Sequence, residues 1–257
     1  MQTKTRKITF GTKEWADSNV NCYFGCSNDC RYCYARKMAV RFKRKTEKTW
    51  KLMDPNPKSI NKGYRKRNGR VMFPTSHDIT PESLENCLIV LRKLIESRNY
   101  ILITTKPNFY CTEEICREFS ENKILIQFRF TITSVNNKLL KFWEPEAPNF
   151  EERLKSLKYA FNQGYKTSIS IEPFLDEDPY ELVGLLKPYT TESIWIGKMN
   201  YIRSRDILDS EKRFYDRIKQ INSKRNLLKI VRKAKICGPL LRIKDSVFNY
   251  LNCYFDK

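Results

Sequence analysis

Histidine is nearly absent from this sequence: His77 is the single imidazole in 257 residues. That excludes metal centres built from several histidines. Glycine is scarce at 8 residues and proline contributes 11, so collagen-like chains are excluded. No apolar run approaches the ~18 residues of a membrane-spanning helix. The opening Met1-Gln2-Thr3-Lys4 has no apolar signal core, which points to the cytoplasm. The cysteines number nine, an odd count, and without a secretion signal a disulfide framework is not expected. Hydrophobic residues at 40% and aromatics at 13% exclude disorder as the main state. The length suits one large domain, or one domain with a small extension.

Acidic side chains are the last shortage. Lys and Arg number 49 against 29 Asp and Glu, a net charge of +20. The excess is concentrated. Residues 36–70 hold 14 Lys/Arg against Glu47 and Asp54, and residues 212–244 hold 12 against Asp216. Two basic blocks on a near-neutral body suit a polyanionic partner, nucleic acid above all; solvated helix faces are the plainer reading.

Short β-rich runs alternate with helical patterns. Strands are expected at 19–22, 71–73, 100–104, 124–133, 167–171 and 193–197. Helices are expected at 83–97, 112–119, 150–162 and 180–186, from apolar residues recurring every three or four positions. A polar linker containing Pro145 and Pro148 is expected before the third of these helices. Six strand–helix units predict an α/β fold with a parallel sheet, an open partial (β/α)6 barrel of TIM type. Its chemistry belongs at the C-terminal ends of the strands. The barrel is expected over residues 1–200, interrupted by a basic insertion near 38–70 that reads as a helix plus a mobile segment. A basic C-terminal extension, 201–257, is expected to pack on it as one helix, a short strand at 235–237 and a closing helix. The chain carries no internal repeat.

Cys26-Ser-Asn-Asp-Cys30-Arg-Tyr-Cys33 gathers three thiols in eight residues. Zinc sites want four ligands, and here Cys22 or His77 would have to supply the fourth. Three cysteines also suit an iron–sulfur cluster with one iron left open. Cys87, Cys111, Cys116, Cys237 and Cys253 are scattered, too sparse for a second cluster, and mostly suit the core.

Those three cysteines, with Tyr32 before the last and a strand before the first, resemble the signature of radical S-adenosylmethionine enzymes. A narrower resemblance, to the spore photoproduct lyase-like branch often labelled DNA repair photolyase, covers roughly residues 14–185. It rests on Asn21 to Cys26, Cys30 to Arg36, Thr104-Thr105-Lys106, Trp143-Glu144-Pro145 with Pro148 and Arg153-Leu154, and Glu172-Pro173. The resemblance implies a [4Fe-4S] cluster on Cys26, Cys30 and Cys33, whose open iron binds S-adenosylmethionine. One electron then cleaves the S–C5′ bond and gives a 5′-deoxyadenosyl radical that abstracts hydrogen. It also implies an external one-electron donor of flavodoxin or ferredoxin type. The lyase itself carries a hydrogen-returning cysteine after its second strand. Phe73-Pro-Thr-Ser-His-Asp78 has none, so thymine-dimer repair itself is not expected.

The same resemblance suggests roles. Asp78, helped by Ser76, would meet the methionine amine, and Lys106 its carboxylate. Tyr32, Thr131 and Thr133 would lie beside the cofactor. Arg153 and Glu144 would pair to hold a loop, with Arg153 near the cofactor. Glu172 would face the cofactor or substrate. His77 is a candidate proton partner in the substrate cavity, and Cys111 a weak substitute hydrogen donor. Trp50 and Tyr64, set among the basic residues of 36–70, are candidates for stacking on unpaired bases. The target would then be a nucleic acid or nucleotide. A peptide substrate and a non-catalytic metal-bearing nucleic-acid-binding protein are the alternatives. A monomer is expected, with no membrane partner.

Overall fold

The computed structural model describes residues 11–251; Cys253 and the first residues of the chain lie outside them. In chain order the strands are β1 (Ser18–Asn19), β2 (Tyr23–Phe24), β3 (Asp54–Pro55), β4 (Arg70–Phe73), β5 (Tyr100–Thr105), β6 (Ile126–Thr131), β7 (Lys166–Ile171), β8 (Ser193–Ile196) and β9 (Leu241–Ile243). The helices are α1 (Tyr34–Arg41), α2 (Pro57–Asn61), α3 (Leu84–Glu96), α4 (Phe109–Glu118), α5 (Asn137–Trp143), α6 (Phe150–Asn162), α7 (Tyr180–Leu186), α8 (Lys212–Ile221), α9 (Lys224–Ala234) and α10 (Asp245–Leu251).

Seven strands form one parallel sheet in the order β1-β4-β5-β6-β7-β8-β9. The order follows the chain, and the outermost strands β1 and β9 do not pair, so the barrel is open. The six expected strands are all present, and β9 adds a seventh. It lies at 241–243, not 235–237, where α9 is ending, and two helices rather than one precede it.

The β4–β8 strands obey a two-residue period. Val71, Phe73, Ile101, Ile103, Ile126, Phe128, Phe130, Ile169, Ile171, Ile194 and Ile196 join the core shared with the helices. The intervening residues, including Met72, Leu102, Thr104, Arg129, Thr131, Ser168, Ser170 and Trp195, fall on the opposite, concave face. Helix ends follow local chemistry: Asn108, Asn136, Asn149 and Ser223 each accept a first-turn amide as an N-cap. The Asn136 cap, with buried Leu139, Leu140 and Trp143, makes a helix of a stretch expected to be linker.

The 38–70 segment departs from expectation in the same way. Trp50 is 1% exposed, and Lys45 is buried on the Leu52 carbonyl and the Asp54 carboxylate. Trp50 therefore packs rather than stacking on a base. A two-stranded antiparallel ribbon, β2 with β3, ties this segment to the start of the cysteine loop. Among the described residues no helix is long and apolar enough to cross a membrane.

Candidate active site

The cysteine loop hangs between β2 and α1. Gly25 enters it at φ +93, where an added Cβ would stand 2.2 Å from the Leu52 carbonyl oxygen, so only glycine fits. The Cys26 amide donates to the Trp50 carbonyl at 3.0 Å, and the Arg31 amide to the Trp143 carbonyl at 2.9 Å. Cys33 caps α1, its sulfur accepting from the Arg36 amide at 3.4 Å. Arg36 turns back to pair with Asp29 at 2.8 Å. Asp29 adopts φ +42, a conformation Asp tolerates better than most residues.

Cys26 and Cys30 are buried and Cys33 is half-buried. Burial pushes all three thiols up, and for Cys26 and Cys30 neighbouring negative charge, the other cysteines included, adds to it. Such thiols hold their protons until a cation replaces them. Among the described residues no three His, Cys, Asp or Glu side chains converge as a single-ion site. The chemistry of the donor set is what fits: three cysteine sulfurs on one loop, near enough to perturb one another, match an iron–sulfur cluster with one iron left open.

Asp78 and Lys106 follow the C-terminal ends of β4 and β5 and face this loop. The Asp78 carboxylate accepts from the Lys106 amide at 2.7 Å, the Thr105 hydroxyl at 3.0 Å and the Asn28 amide group at 2.8 Å. Its own amide donates to the Cys26 sulfur at 3.4 Å. Burial pushes the Asp78 carboxyl up, but the Lys106 ammonium and these hydrogen bonds outweigh it and hold the group below its usual range. Burial likewise opposes charge on Lys106, and the Asp78 carboxylate first, with Glu144, overcomes it, so the amine stays protonated. The ammonium stands 3.7 Å from Asp78, longer than a hydrogen bond, and 5.8 Å from the centre of the Tyr32 ring.

Behind them is an enclosed network. The Glu144 carboxylate takes a hydrogen bond from Tyr32 and one from Thr133 at 2.8 Å, and forms an ion pair with Arg153. Arg153 also donates to the Pro148 and Thr131 carbonyls. Tyr32, Thr133 and Arg153, expected to lie beside the cofactor, thus spend their polar atoms on one another through Glu144. Thr131 lends its carbonyl to the same network.

The remaining expected residues are spread more widely. Ser76 is held through its amide by the Asn21 side chain at 2.9 Å, and Asn21 also takes the Thr75 amide at 2.7 Å. His77 is buried between Tyr23 and Phe73. Its Nε2 accepts from the Cys22 amide at 3.2 Å, which leaves Nδ1–H to donate to the Asp78 carbonyl at 3.0 Å. Both ring nitrogens are committed to backbone, so His77 positions Asp78 and has no nitrogen for substrate. Cys111 sits in the first turn of α4 with its thiol in the core, 2% exposed and pushed up to about 12 by burial. Its sulfur is enclosed among core side chains, so it packs the helix against the sheet rather than serving as an accessible hydrogen donor.

Glu172 lies on the concave side, where burial pushes its carboxyl up. Gly197 makes room for it: a Cβ there would stand 2.7 Å from Glu172 Cγ. Lys244 sits 3.8 Å from Glu172 and 2.6 Å from Glu14. Arg129 lies between the Trp15 and Trp195 rings, and burial pulls it down to about 9. Sequence reading missed Asn28, Arg129, Lys244 and Glu14. Asn28 had a signal, its place between Cys26 and Cys30; the other three are joined only by the fold.

With this geometry in view, the comparisons fix the family. The sequence model of the radical SAM superfamily matches residues 20–186. The chain therefore belongs to that superfamily, whose enzymes use a [4Fe-4S] cluster and S-adenosylmethionine and need an electron donor. It is 27% identical over 177 residues to an uncharacterized protein of Methanocaldococcus jannaschii, covering 66% of each chain. It is 23% identical over 172 residues to an uncharacterized protein of Acidianus two-tailed virus, covering 62% of this chain and 55% of that one. The matches thus span less than two thirds of both relatives.

A spore photoproduct lyase mutant solved with AdoMet and dinucleoside spore photoproduct shares the fold at TM-score 0.56 and 15% identity, over 93% of this chain and 79% of that one. SuiB of Streptococcus suis matches at TM-score 0.52 and 14% identity, over 88% of this chain and 48% of that one. The chain thus has the open partial TIM barrel of the radical SAM superfamily.

Proposed function

We propose that Cys26, Cys30 and Cys33 hold the cluster, and that Asp78 and Lys106 hold the methionine end of S-adenosylmethionine in an enzyme acting on nucleic acid. The observation that carries the site is the Asp78–Lys106 pair. A carboxylate and an ammonium stand side by side at the mouth, next to the three thiols. S-adenosylmethionine presents the complementary zwitterion, an amine and a carboxylate.

When bound, the cluster and S-adenosylmethionine supply a single-electron cleavage and a hydrogen-abstracting radical. The chain's residues do the rest. Asp78, fixed by Asn28, Thr105 and the Lys106 amide, offers a rigid anionic partner for the amine. The Lys106 ammonium, out of hydrogen-bond range of Asp78, has protons to give a carboxylate. Tyr32 and Glu144 keep the loop between Cys30 and Cys33 in place. A flavodoxin- or ferredoxin-type protein is the proposed electron donor.

Nucleic acid as substrate is supported by the charge. The +20 excess falls in two blocks, and Lys37 and Tyr201 stand together near the mouth at 4.6 Å. The shared fold with a lyase solved with a dinucleoside photoproduct adds to this. A base presented to the mouth would have to leave its stack.

The test is deuterium transfer. Reduced, reconstituted enzyme is given S-adenosylmethionine with uniformly deuterated nucleic acid, or with deuterated protein from the same cells. Deuterium in 5′-deoxyadenosine from the nucleic acid is the expected result. Deuterium from protein alone would replace the nucleic-acid reading with a peptide one.

A further inference from the structure

We infer that a groove at the strand-start end of the barrel, opposite the cysteine loop, binds single-stranded nucleic acid through its phosphates. The inference rests on the nucleic-acid reading above and adds a second contact, remote from the chemistry.

The groove has a volume of about 1020 Å³ and is lined chiefly by Ser18, Lys62, Tyr64, Arg65, Lys66 and Arg67. Its place follows from topology. Ser18, Arg70 and Tyr100 begin β1, β4 and β5, whereas Asp78 and Lys106 follow the far ends of β4 and β5. Six residues of β5 separate the two ends, about 20 Å at ~3.3 Å per residue.

Charge is uncompensated here. From 55 to 77 the sequence holds Lys58, Lys62, Arg65, Lys66, Arg67 and Arg70 and no acidic residue. The carboxylate that meets this segment, Asp17, accepts from the Arg70 amide at 2.8 Å. An added Cβ on Gly69 would stand 1.9 Å from it, so the turn closes tightly there.

The groove's backbone is built in advance. Buried Asn99 accepts from the Arg67 amide at 2.8 Å and donates to the Arg65 carbonyl at 3.3 Å. Tyr64 is tied through its hydroxyl to the Ser59 carbonyl at 2.7 Å and through its own carbonyl to Ser97. The side chains of Lys62, Arg65 and Lys66 remain exposed on this fixed frame, so ligand binding does not have to order the loop.

Aromatic faces lie among the cations. Lys62 and Arg67 sit over the Tyr64 ring at 5.0 and 5.9 Å, and Lys66 over Tyr100 at 4.7 Å. Tyr100 is 55% exposed. Cations tracking phosphates beside an exposed ring for an unpaired base is the pattern of single-strand binding. An acidic peptide would use the cations and leave the ring idle.

The experiment measures anisotropy of fluorescein-labelled dT and rU 15-mers on reconstituted holoenzyme across a salt series. The groove triple Lys62→Glu/Arg65→Glu/Lys66→Glu is compared with Lys224→Glu/Lys229→Glu/Arg232→Glu on α9, which changes the charge equally. The groove triple is expected to bind about 10-fold or more weakly, with a salt slope lower by about 2, the value for three lost phosphate contacts on a single strand. Its iron content and substrate-free S-adenosylmethionine cleavage should stay at wild-type level, and the α9 triple should lose under about 3-fold.

Equal losses in the two triples would overturn the groove in favour of a diffuse field. Displacement of the oligonucleotide by poly-glutamate at equal charge concentration would overturn it in favour of an acidic protein. Loss confined to a mouth variant such as Lys37→Glu would remove the groove and leave the nucleic-acid reading standing. Failure of the wild type to bind any oligonucleotide would remove both.

Discussion

Glu144 and Arg153 meet with both side chains entirely enclosed, whereas Asp78 and Lys106 keep 13% and 11% of their surface and stand 3.7 Å apart. Both pairs adjoin the cysteine loop and both are charged. In the first, Tyr32, Thr133 and two carbonyls take up the remaining polar atoms. In the second, Asp78 Oδ1 is filled by the Lys106 amide and Thr105 while Oδ2 takes one short hydrogen bond, from Asn28, and the ammonium stands beyond hydrogen-bond range of the carboxylate. An enclosed pair that satisfies itself holds a fold together; a pair with spare donors on an open mouth waits for a ligand. Burial and hydrogen-bond accounting separate the two where charge alone would not.

The contrast can be broken from the loop they share. Cys30→Ala is expected to bring S-adenosylmethionine cleavage below about 1% of wild type while secondary structure by circular dichroism stays intact. Cleavage with wild-type yield would remove Cys30 from the cluster.

The enclosed pair should answer in stability. Arg153→Met leaves Glu144 buried without its counter-charge, a loss of about 3–5 kcal/mol. At about 2–4 °C per kcal/mol for a chain of this size, Tm should drop by roughly 10 °C. An unchanged Tm in calorimetry would show that the pair holds nothing.

The pair also sets a pH limit. Burial pushes the Glu144 carboxyl up, but Arg153, Lys106 and its hydrogen bonds prevail and hold it below its ordinary value of 4.5. A carboxyl lowered by folding binds more protons in the unfolded state. Its stabilisation is present above about pH 4.5 and is lost as pH falls through the lower, folded value. Denaturant midpoints measured from pH 6 downward should fall for wild type below about pH 4.5. Glu144→Gln should begin less stable and lose less over the same range. Parallel profiles would contradict the assignment.

The smallest effect is expected on the concave side. Gly197→Ala places a methyl 2.7 Å from Glu172 Cγ and should cost about 1–3 kcal/mol by overpacking. Denaturant titration reads it; a change under about 0.5 kcal/mol would mean that Glu172 swings aside freely.

Much of this was legible beforehand where the signal is local. Helices α6 and α7 fall at 150–162 and 180–186 as their spacing indicated, because an apolar stripe and a nearby stop define such helices without help. The Cys26–Cys33 spacing and Lys106 at a strand end also read directly, and the Arg153–Glu144 pair forms as expected. Failures came where a distant partner decides. Pro145 and Pro148 suggested a linker, but the Asn136 cap and three buried apolar side chains start a helix ahead of them. His77 looked available at a strand end, and only the fold reveals that the Cys22 amide and the Asp78 carbonyl occupy its ring. Trp50 looked like a stacking platform among lysines, yet it packs beneath the cysteine loop. Lys244 and Glu14 lie at opposite ends of the chain and meet at 2.6 Å; no spacing rule connects them.

The central claim is that the open pair receives S-adenosylmethionine, and Lys106→Met tests it most directly. The measurement is the S-adenosylmethionine concentration dependence of 5′-deoxyadenosine formation, with iron content determined on the same sample. Losing one charged hydrogen bond, about 1.5–3 kcal/mol, predicts a KM raised about 10- to 100-fold with about four irons per chain retained. A wild-type KM at full iron content would contradict the account and place the methionine end of the cofactor elsewhere.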